Sequence, residues 1–524
     1  MPRGLPVVGA THSNEYGFCM ASSLMIPAPA AGALRLAVPA LAALWLSACA
    51  VGPDFKPPTA PTVSGYTSGP TAAPGATPRV AGGAAQRLEP GMDVSGQWWT
   101  LFHCAPLDAL VAQALQHNPD LKAAQAALRV AHENMLAQRG TFLPSVTASF
   151  SASHQRQSTS LAPVPNYPVV SSEFQYNLYT PQLTISYTPD VWGGNRRASE
   201  SLQAQEQAAR FQMIAAWNTL ASNVALAAIQ QAALQAQVDA MQQQVAAATK
   251  MRDILRYQYA KGYASQGDLA AQESQLAQAR AALPTLRKQL AQQHDLLAVL
   301  AGQLPAQASQ EHFTLDDLRL PGELPLSLPS KLVEQRPDVR QAQANLHAAS
   351  AAVGVATAAR LPNLTLSADT GSTALTFSRL FTGGTGFWDA AAGITAPIFE
   401  GGSLLHQQRA AKAAYDEAAE QYRGTVLIAF QNVADTLVAL DQDAQALQAA
   451  AQAEQAARLS RDLIDRQLKD GYASNLQRLA AEQTWLQARL ALVQAQANRF
   501  ADTVALYQAL GGGWWHHPEL SKPQ

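Results

Sequence analysis

Apolar and polar positions along this chain follow two distinct rhythms. From Met213 the apolar residues step through Trp217, Leu220 and Val224, and from Val426 through Phe430, Val433, Leu437, Leu440, Ala444 and Leu447. Intervals of four and three draw a narrow stripe, the seam of a coiled coil rather than the broad face of a helix lying on a globular core. The stripes sit inside unusually long uninterrupted runs. Asn195 to Lys261 is 67 residues without a Gly or Pro, and Ser403 to Asp470 is 68 residues interrupted only by Gly424. At about 1.5 Å per residue each run reaches roughly 100 Å as one helix. Each meets a near-identical turn, Gly262-Tyr263-Ala264-Ser265 and Gly471-Tyr472-Ala473-Ser474, and a further helical arm follows. The pattern predicts two very long helical hairpins.

The second rhythm has a period of two. Val146, Ala148, Phe150 and Ala152 alternate with Ser and Thr, as on a half-buried strand. Phe174, Tyr176 and Leu178 alternate, the phase slips near Pro181, and Leu183, Ile185 and Tyr187 resume it. Later Leu364, Leu366 and Ala368 alternate, then Ile394, Ala396 and Ile398. Pro144 and Pro362 stop the helices that precede these strands. Four strands cannot close a barrel, and an open sheet leaves unpaired edges. One apolar and one polar face imply a barrel shared among subunits; three copies would supply about twelve strands.

The two rhythms recur in the same order. Asn118-Pro119-Asp120-Leu121-Lys122 is echoed 218 residues later by Arg336-Pro337-Asp338-Val339-Arg340, and Leu143-Pro144-Ser145 by Leu361-Pro362-Asn363 at the same offset. Gly193-Gly194 and Gly401-Gly402 lie 208 apart, so the second strand pair is ten residues shorter. Each half reads helix, two strands, very long helix, turn, helix. The first repeat is assigned to 97–305, with strand pair 144–192, long helix 195–261 and helix 266–301. A linker of 306–330 follows. The second repeat is assigned to 331–513, with strand pair 363–400, long helix 403–470 and helix 475–510, and 514–524 is a tail. The fold class is α+β, mainly α, built from an internal tandem repeat.

Composition sharpens this. Charged residues are 14% and the net charge is −2, so no basic field recommends nucleic acid as a partner. Ala and Gln fill the long segments: Ala favours helix and close approach, and Gln tolerates water without setting up a field.

Arg35, the apolar run Leu36 to Leu46 and the small residues Ser47 and Ala48 describe a secretory signal over 1–48. Leu46-Ser47-Ala48-Cys49 resembles the lipobox of bacterial lipoproteins, which implies cleavage before Cys49 and lipidation of Cys49. Initiation at Met20 or Met25 fits the leader better than Met1 does. The segment 49–96, rich in Pro, Gly, Ala, Ser and Thr, reads as an acylated N-terminus and an extended tether.

Further segments carry a family resemblance. Cys49 to Phe55, Trp98-Trp99-Thr100-Leu101-Phe102, Asp190 to Arg197 and Ala509 to Trp514 resemble, in order and spacing, the TolC-like outer membrane efflux proteins of the lipoprotein (NodT) branch. The resemblance implies a homotrimer whose outer-membrane β-barrel, four strands per chain, continues into a periplasmic α-helical barrel with an equatorial layer. It also implies a passive duct served by a periplasmic adaptor and an inner membrane transporter of RND type. The duct would sit in outer membrane lipid, anchored at Cys49. The two turns would lie at the periplasmic tip, where Gly262, Tyr263, Ala264 and Ser265, with Gly471, Tyr472, Ala473 and Ser474, would form adaptor-docking grooves. The plainer reading of each turn is a Gly that ends a helix and a Tyr that packs on its neighbour. Asp268 falls where relatives carry a gate acid; Gln477 and Ala480 fall where relatives carry further acids, so the constriction is thinner. A Tyr472–Asp268 hydrogen bond between hairpins would hold the gate shut, and Asp268 as a helix N-cap is the simpler alternative.

No P-loop, Rossmann fingerprint, HExxH or GxSxG appears, and no cofactor or metal is expected. His516-His517 reads as a solvated tail. Two functions remain: a transport conduit, or a structural coiled-coil periplasmic lipoprotein, spacer or adaptor, without a pore. The second has no use for two strand pairs set symmetrically between helices.

Overall fold

The computed structural model describes residues 50–521 apart from 64, 68, 70–74, 159–172 and 308–311. The signal segment and Cys49 lie outside the described residues. A 3-10 turn, Trp98–Phe102, leads into α1 (Ala105–His117) and α2 (Pro119–Gly140). Asn118 caps α2, its side chain accepting from the backbone N–H groups of Asp120 and Leu121, with Pro119 pre-set in the first turn. The strands β2 (Ser145–Ser158) and β3 (Glu173–Tyr187) follow, then α3 (Gly194–Ala260) and α4 (Gln266–Leu300). In the second half α5 (Pro329–Gln335) precedes α6 (Pro337–Ala358), β5 (Asn363–Ser372), β6 (Gly386–Thr395), α7 (Ser403–Lys469) and α8 (Asn475–Ala509). A short α9 (Pro518–Ser521) closes the described chain, and β1 (Arg87–Pro90) pairs in parallel with β4 (Glu323–Leu326).

α3 and α7 are each 67 residues long. Both start after a glycine in the left-handed region, Gly193 at φ 76° and Gly402 at φ 86°, a conformation that suits a residue without Cβ. The expected stripes are the buried ones. Met213, Trp217, Leu220 and Val224 are buried on α3, and Val426, Val433, Leu437, Leu440, Ala444 and Leu447 on α7. Phe430 departs from the pattern: Ala429 takes its place in the seam, and the Phe430 ring packs on Tyr66 at 5.5 Å. α3 packs against α1, α2, α4, α6 and α8; α7 packs mainly against α6 and α8.

The core thickens where the shorter elements gather. Trp98 stacks on Tyr507 at 5.4 Å, Phe102 meets Phe500, and Trp99 meets Trp217. The C-terminal tail joins this core instead of lying in solvent. His517 packs edge-on against Trp217 at 4.8 Å and bonds the Gly96 carbonyl at 2.9 Å, and His516 lies 2.8 Å from Asp93. Sequence alone gave no hint of these contacts, which join residues 300 to 423 positions apart.

Candidate functional site

The sheet has the order β2-β3-β5-β6 and is antiparallel throughout. The pairing Val146↔Ile185, Ile185↔Ala368 and Ala368↔Ala390 carries one face across all four strands. That face holds Val146, Ala148 and Phe150, then Leu183 and Ile185, then Leu366, and finally Trp388 and Ile394. Its large members are exposed, Trp388 at 80% and Ile394 at 76%. The opposite face holds Thr147, Gln182, Thr184, Ser367, Asp369 and Asp389. There the Asp369 carboxylate accepts from Gln182 Nε2 at 2.6 Å and Thr184 Oγ1 at 2.5 Å. β2 and β6 have no second strand partner among the described residues, so both sheet edges are open. The phase slip near Pro181 is one of hydrophobicity and not of pairing. The β2–β3 ladder runs unbroken from Ser145↔Ser186 through Phe150↔Pro181 to Ser158↔Glu173. The apolar residues simply change faces above Tyr179, where β3 outruns its pairing with β5.

Each hairpin tip satisfies its own backbone. Gly262 and Gly471 take φ 79° and 83°, and the next amide reaches back five residues: Tyr263 N–H to Gln258 O at 2.8 Å, Tyr472 N–H to Gln467 O at 2.7 Å. Ser265 and Ser474 then cap α4 and α8 in reciprocal capping boxes, with Asp268 and Gln477 as the third helical residues. Asp268 is therefore not the N-cap; Ser265 is, and its hydroxyl donates to the Asp268 carboxylate at 2.7 Å. Tyr263 and Tyr472 do not pack on neighbours within the chain, being 83% and 86% exposed. Ala264 and Ala473 are half-buried between them and the caps. Ala480 is exposed one turn into α8, its carbonyl accepting from Thr484.

The seams above the tips differ. In the first hairpin Leu255 and Leu276 are buried, and Gln272 donates to the Ala248 carbonyl at 3.1 Å. In the second, Trp485 donates to Glu454 at 2.9 Å, Arg461 lies 4.0 Å over the Trp485 ring, and Arg478 pairs with Asp465 at 2.7 Å. Glu482 is buried beside them. Burial holds its carboxyl above the usual range against the pull of Arg461 and Arg478. Higher up, burial and the neighbouring Asp443 carboxyl push Asp502 up to about 7, and Arg499, fully buried, donates to the Leu440 carbonyl at 3.1 Å.

At the strand–helix junction the chain's first described residues are clasped. Val51 N–H bonds the Trp192 carbonyl at 3.0 Å, and Arg197 donates to the Val51 carbonyl at 3.2 Å and to Asp54 at 2.6 Å. Phe55 stacks on His347 at 4.3 Å, and His347 lies 2.8 Å from Glu200. A Cβ on Gly52 would sit 2.4 Å from the Gly354 Cα, so two backbones touch there. Sequence reasoning missed this clasp, because its two glycines lie 302 positions apart, one in the tether and one inside α6.

The model for the family described as "Outer membrane efflux protein" matches residues 110–303 and again 328–512. The chain belongs to the outer membrane efflux protein family. It is 32% identical over 418 residues to "Pyoverdine export outer membrane protein OpmQ" of Pseudomonas putida, covering 80% of this chain and 88% of that protein. It is 31% identical over 491 residues to "Probable efflux pump outer membrane protein TtgC" of the same species, covering 93% and 97%. Among solved structures it is similar to the outer membrane protein VceC of Vibrio cholerae, with 29% identity and a TM-score of 0.71 over 80% of this chain and 100% of that one. The fold is the TolC-like one, mainly α, and the family's two matched stretches fall on the two repeats. Among the described residues no helix is long and apolar enough to cross a membrane, which says nothing of a β-barrel, and no three His, Cys, Asp or Glu are grouped to hold a metal.

Proposed function

We propose that this protein is the outer membrane duct of a tripartite efflux system: a homotrimer, passive itself, joined to a periplasmic adaptor and an inner membrane pump of RND type. The observation that carries the reading is the sheet, open at both edges, apolar on one face and polar on the other. Three such sheets joined edge to edge close a twelve-stranded barrel with lipid outside and water within. α7 supports the same assembly. Leu427, Ile428, Val438, Leu459 and Leu463 are large apolar side chains on it that the chain leaves exposed.

In this reading Cys49, outside the described residues, carries the lipid anchor, and the clasp around Val51 fixes where the anchor enters the membrane. The turns Gly262–Ser265 and Gly471–Ser474 receive the adaptor, with Tyr263 and Tyr472 as the exposed contacts. Asp268, repeated three times, lines the resting gate, with Gln477 and Ala480 leaving it less acidic. Tyr472 of one hairpin bonds the Asp268 carboxylate of the next. The cargo is small molecules selected by the pump.

The test is electrophoresis of outer membrane extract with and without heating, paired with drug accumulation in a deletion strain. A heat-labile oligomer and raised accumulation are expected. A monomer in the periplasmic fraction overturns the reading. For the gate, Asp268→Ala raises single-channel conductance; an unchanged conductance removes Asp268 from that role.

A further inference from the structure

The connection between β5 and β6 is a built element rather than a slack loop. Ala374 exchanges both backbone hydrogen bonds with Tyr179, at 2.9 and 3.1 Å. Ser372, buried, bonds the Thr385 hydroxyl at 2.8 Å and accepts from the Phe381 N–H at 3.3 Å, pinning the two ends together. Phe377 then meets Phe150 at 6.3 Å and Tyr179 at 6.0 Å, edge-on in both cases. Phe150 and Tyr179 are on the apolar face, so the loop folds outward over that face and not across the polar one. Phe381 sits at φ 67°, where a bulky side chain is rarely found, and is 78% exposed. Together with the strand residues beneath it, Phe381 lines a groove on the apolar face whose floor is Ala148, Pro181, Leu183, Thr370 and Gly386.

We infer that this groove seats an acyl chain of an outer-leaflet membrane lipid, and that the loop Leu375–Phe381 is a lipid-facing flap. The proposal rests on the barrel reading above. The long helices leave the sheet at the opposite end, so this loop lies at the far end, in the outer leaflet. The groove is continuous with the apolar band of Val146, Leu183, Ile185 and Ile394, which meets lipid in any closed barrel with a wet interior. Ser149, Gln182, Thr382 and Thr385 also belong to its lining, which holds no charged side chain for a lipid headgroup, so the acyl chain, laid along Ala148, Pro181, Leu183 and Phe381, is the part that fits. Leu375, Phe377 and Phe381, exposed in the chain alone, are then covered by the same lipid.

The experiment places a bimane label on Phe381→Cys and, separately, on Val146→Cys; Cys104 is buried, and labelled wild type is the background. The trimer is reconstituted in phosphatidylcholine vesicles with brominated acyl chains, and iodide is the aqueous quencher. Lipid bromines should remove at least half of the emission at both positions, with iodide removing little. If 146 is lipid-quenched and 381 is quenched only by iodide, the flap faces water and the inference fails while the barrel stands. If neither is lipid-quenched, the barrel reading fails. A label at 381 shielded from both quenchers means a second protein copy covers the flap, which also overturns the inference. The groove itself is tested by Ala148→Phe, an exposed position. Native mass spectrometry of the detergent-extracted trimer should show retained lipid falling at least threefold, and unchanged lipid refutes an occupied groove.

Discussion

The two long hairpins share an architecture residue for residue, yet their interiors differ. α3 buries more than twice as many of its residues as α7, although both have 67. At the offset of 209 that relates them, the first hairpin has Leu234, Leu290 and Gln293 where the second has Asp443, Arg499 and Asp502. Lower down, Val245, Leu269 and Leu276 face Glu454, Arg478 and Trp485. Helix formation is set by what the two share: long Ala- and Gln-rich runs, glycine starts and identical turns. Environment is set by what they do not share. One helix is wrapped by its own chain; the other keeps charge in its seam and leaves large apolar side chains exposed.

The largest expected effect tests the subunit contact proposed for α7. Leu427→Asp with Val438→Asp abolishes the heat-labile oligomer while circular dichroism of the protomer is unchanged. A surviving oligomer means these α7 side chains lie elsewhere in the assembly. The mirror substitution on α3 acts on the protomer itself. Trp217→Ala, which empties a site packed against Trp99 and His517, lowers stability by about 3–5 kcal/mol in urea unfolding. Its counterpart Val426→Ala removes far less volume and costs less.

A third difference is pH. Asp502 has its carboxyl raised in the folded state, so the folded protein holds that proton more tightly than the unfolded chain does. The stability this contributes is complete below the ordinary carboxylate value and is lost as pH rises through about 7. Asp502→Asn therefore flattens the pH dependence between about 4 and 7, read by thermal unfolding across buffers. Gln293→Ala in the first hairpin leaves the dependence intact. The smallest effect is at the caps. Ser265→Ala and Ser474→Ala each cost about 1 kcal/mol. The Ser265 change costs slightly more, because its hydroxyl donates to a charged carboxylate at 2.7 Å, where Ser474 donates to the neutral Gln477 amide at 3.2 Å.

Much of the fold was legible because its signals are local and repeated: Gly- and Pro-free runs, a 4-3 seam, and alternation after Pro144 and Pro362. The turns were legible as turns, but the first cap lies three residues before Asp268. Only the backbone shows Ser265 as the cap, Asp268 behind it, and both tyrosines turned to solvent. The slip of phase near Pro181 was legible too, though not that the ladder runs through it unbroken. Alternation reports a demand for burial, and that demand changes where β3 passes beyond its neighbour β5. The clasp at Val51, the docked His517 and the β1–β4 ladder depend on contacts hundreds of residues apart, and no window of sequence carries them.

Unequal hairpins have a last consequence. The β2–β3 ladder continues about six residues beyond the final bridge to the second strand pair, a rise of roughly 20 Å. In the trimer proposed above this would give a crenellated parapet, with three tall merlons separated by three low embrasures. Molecules leaving that proposed duct would spill sideways through the gaps, and anything arriving from outside the cell would touch the merlons first.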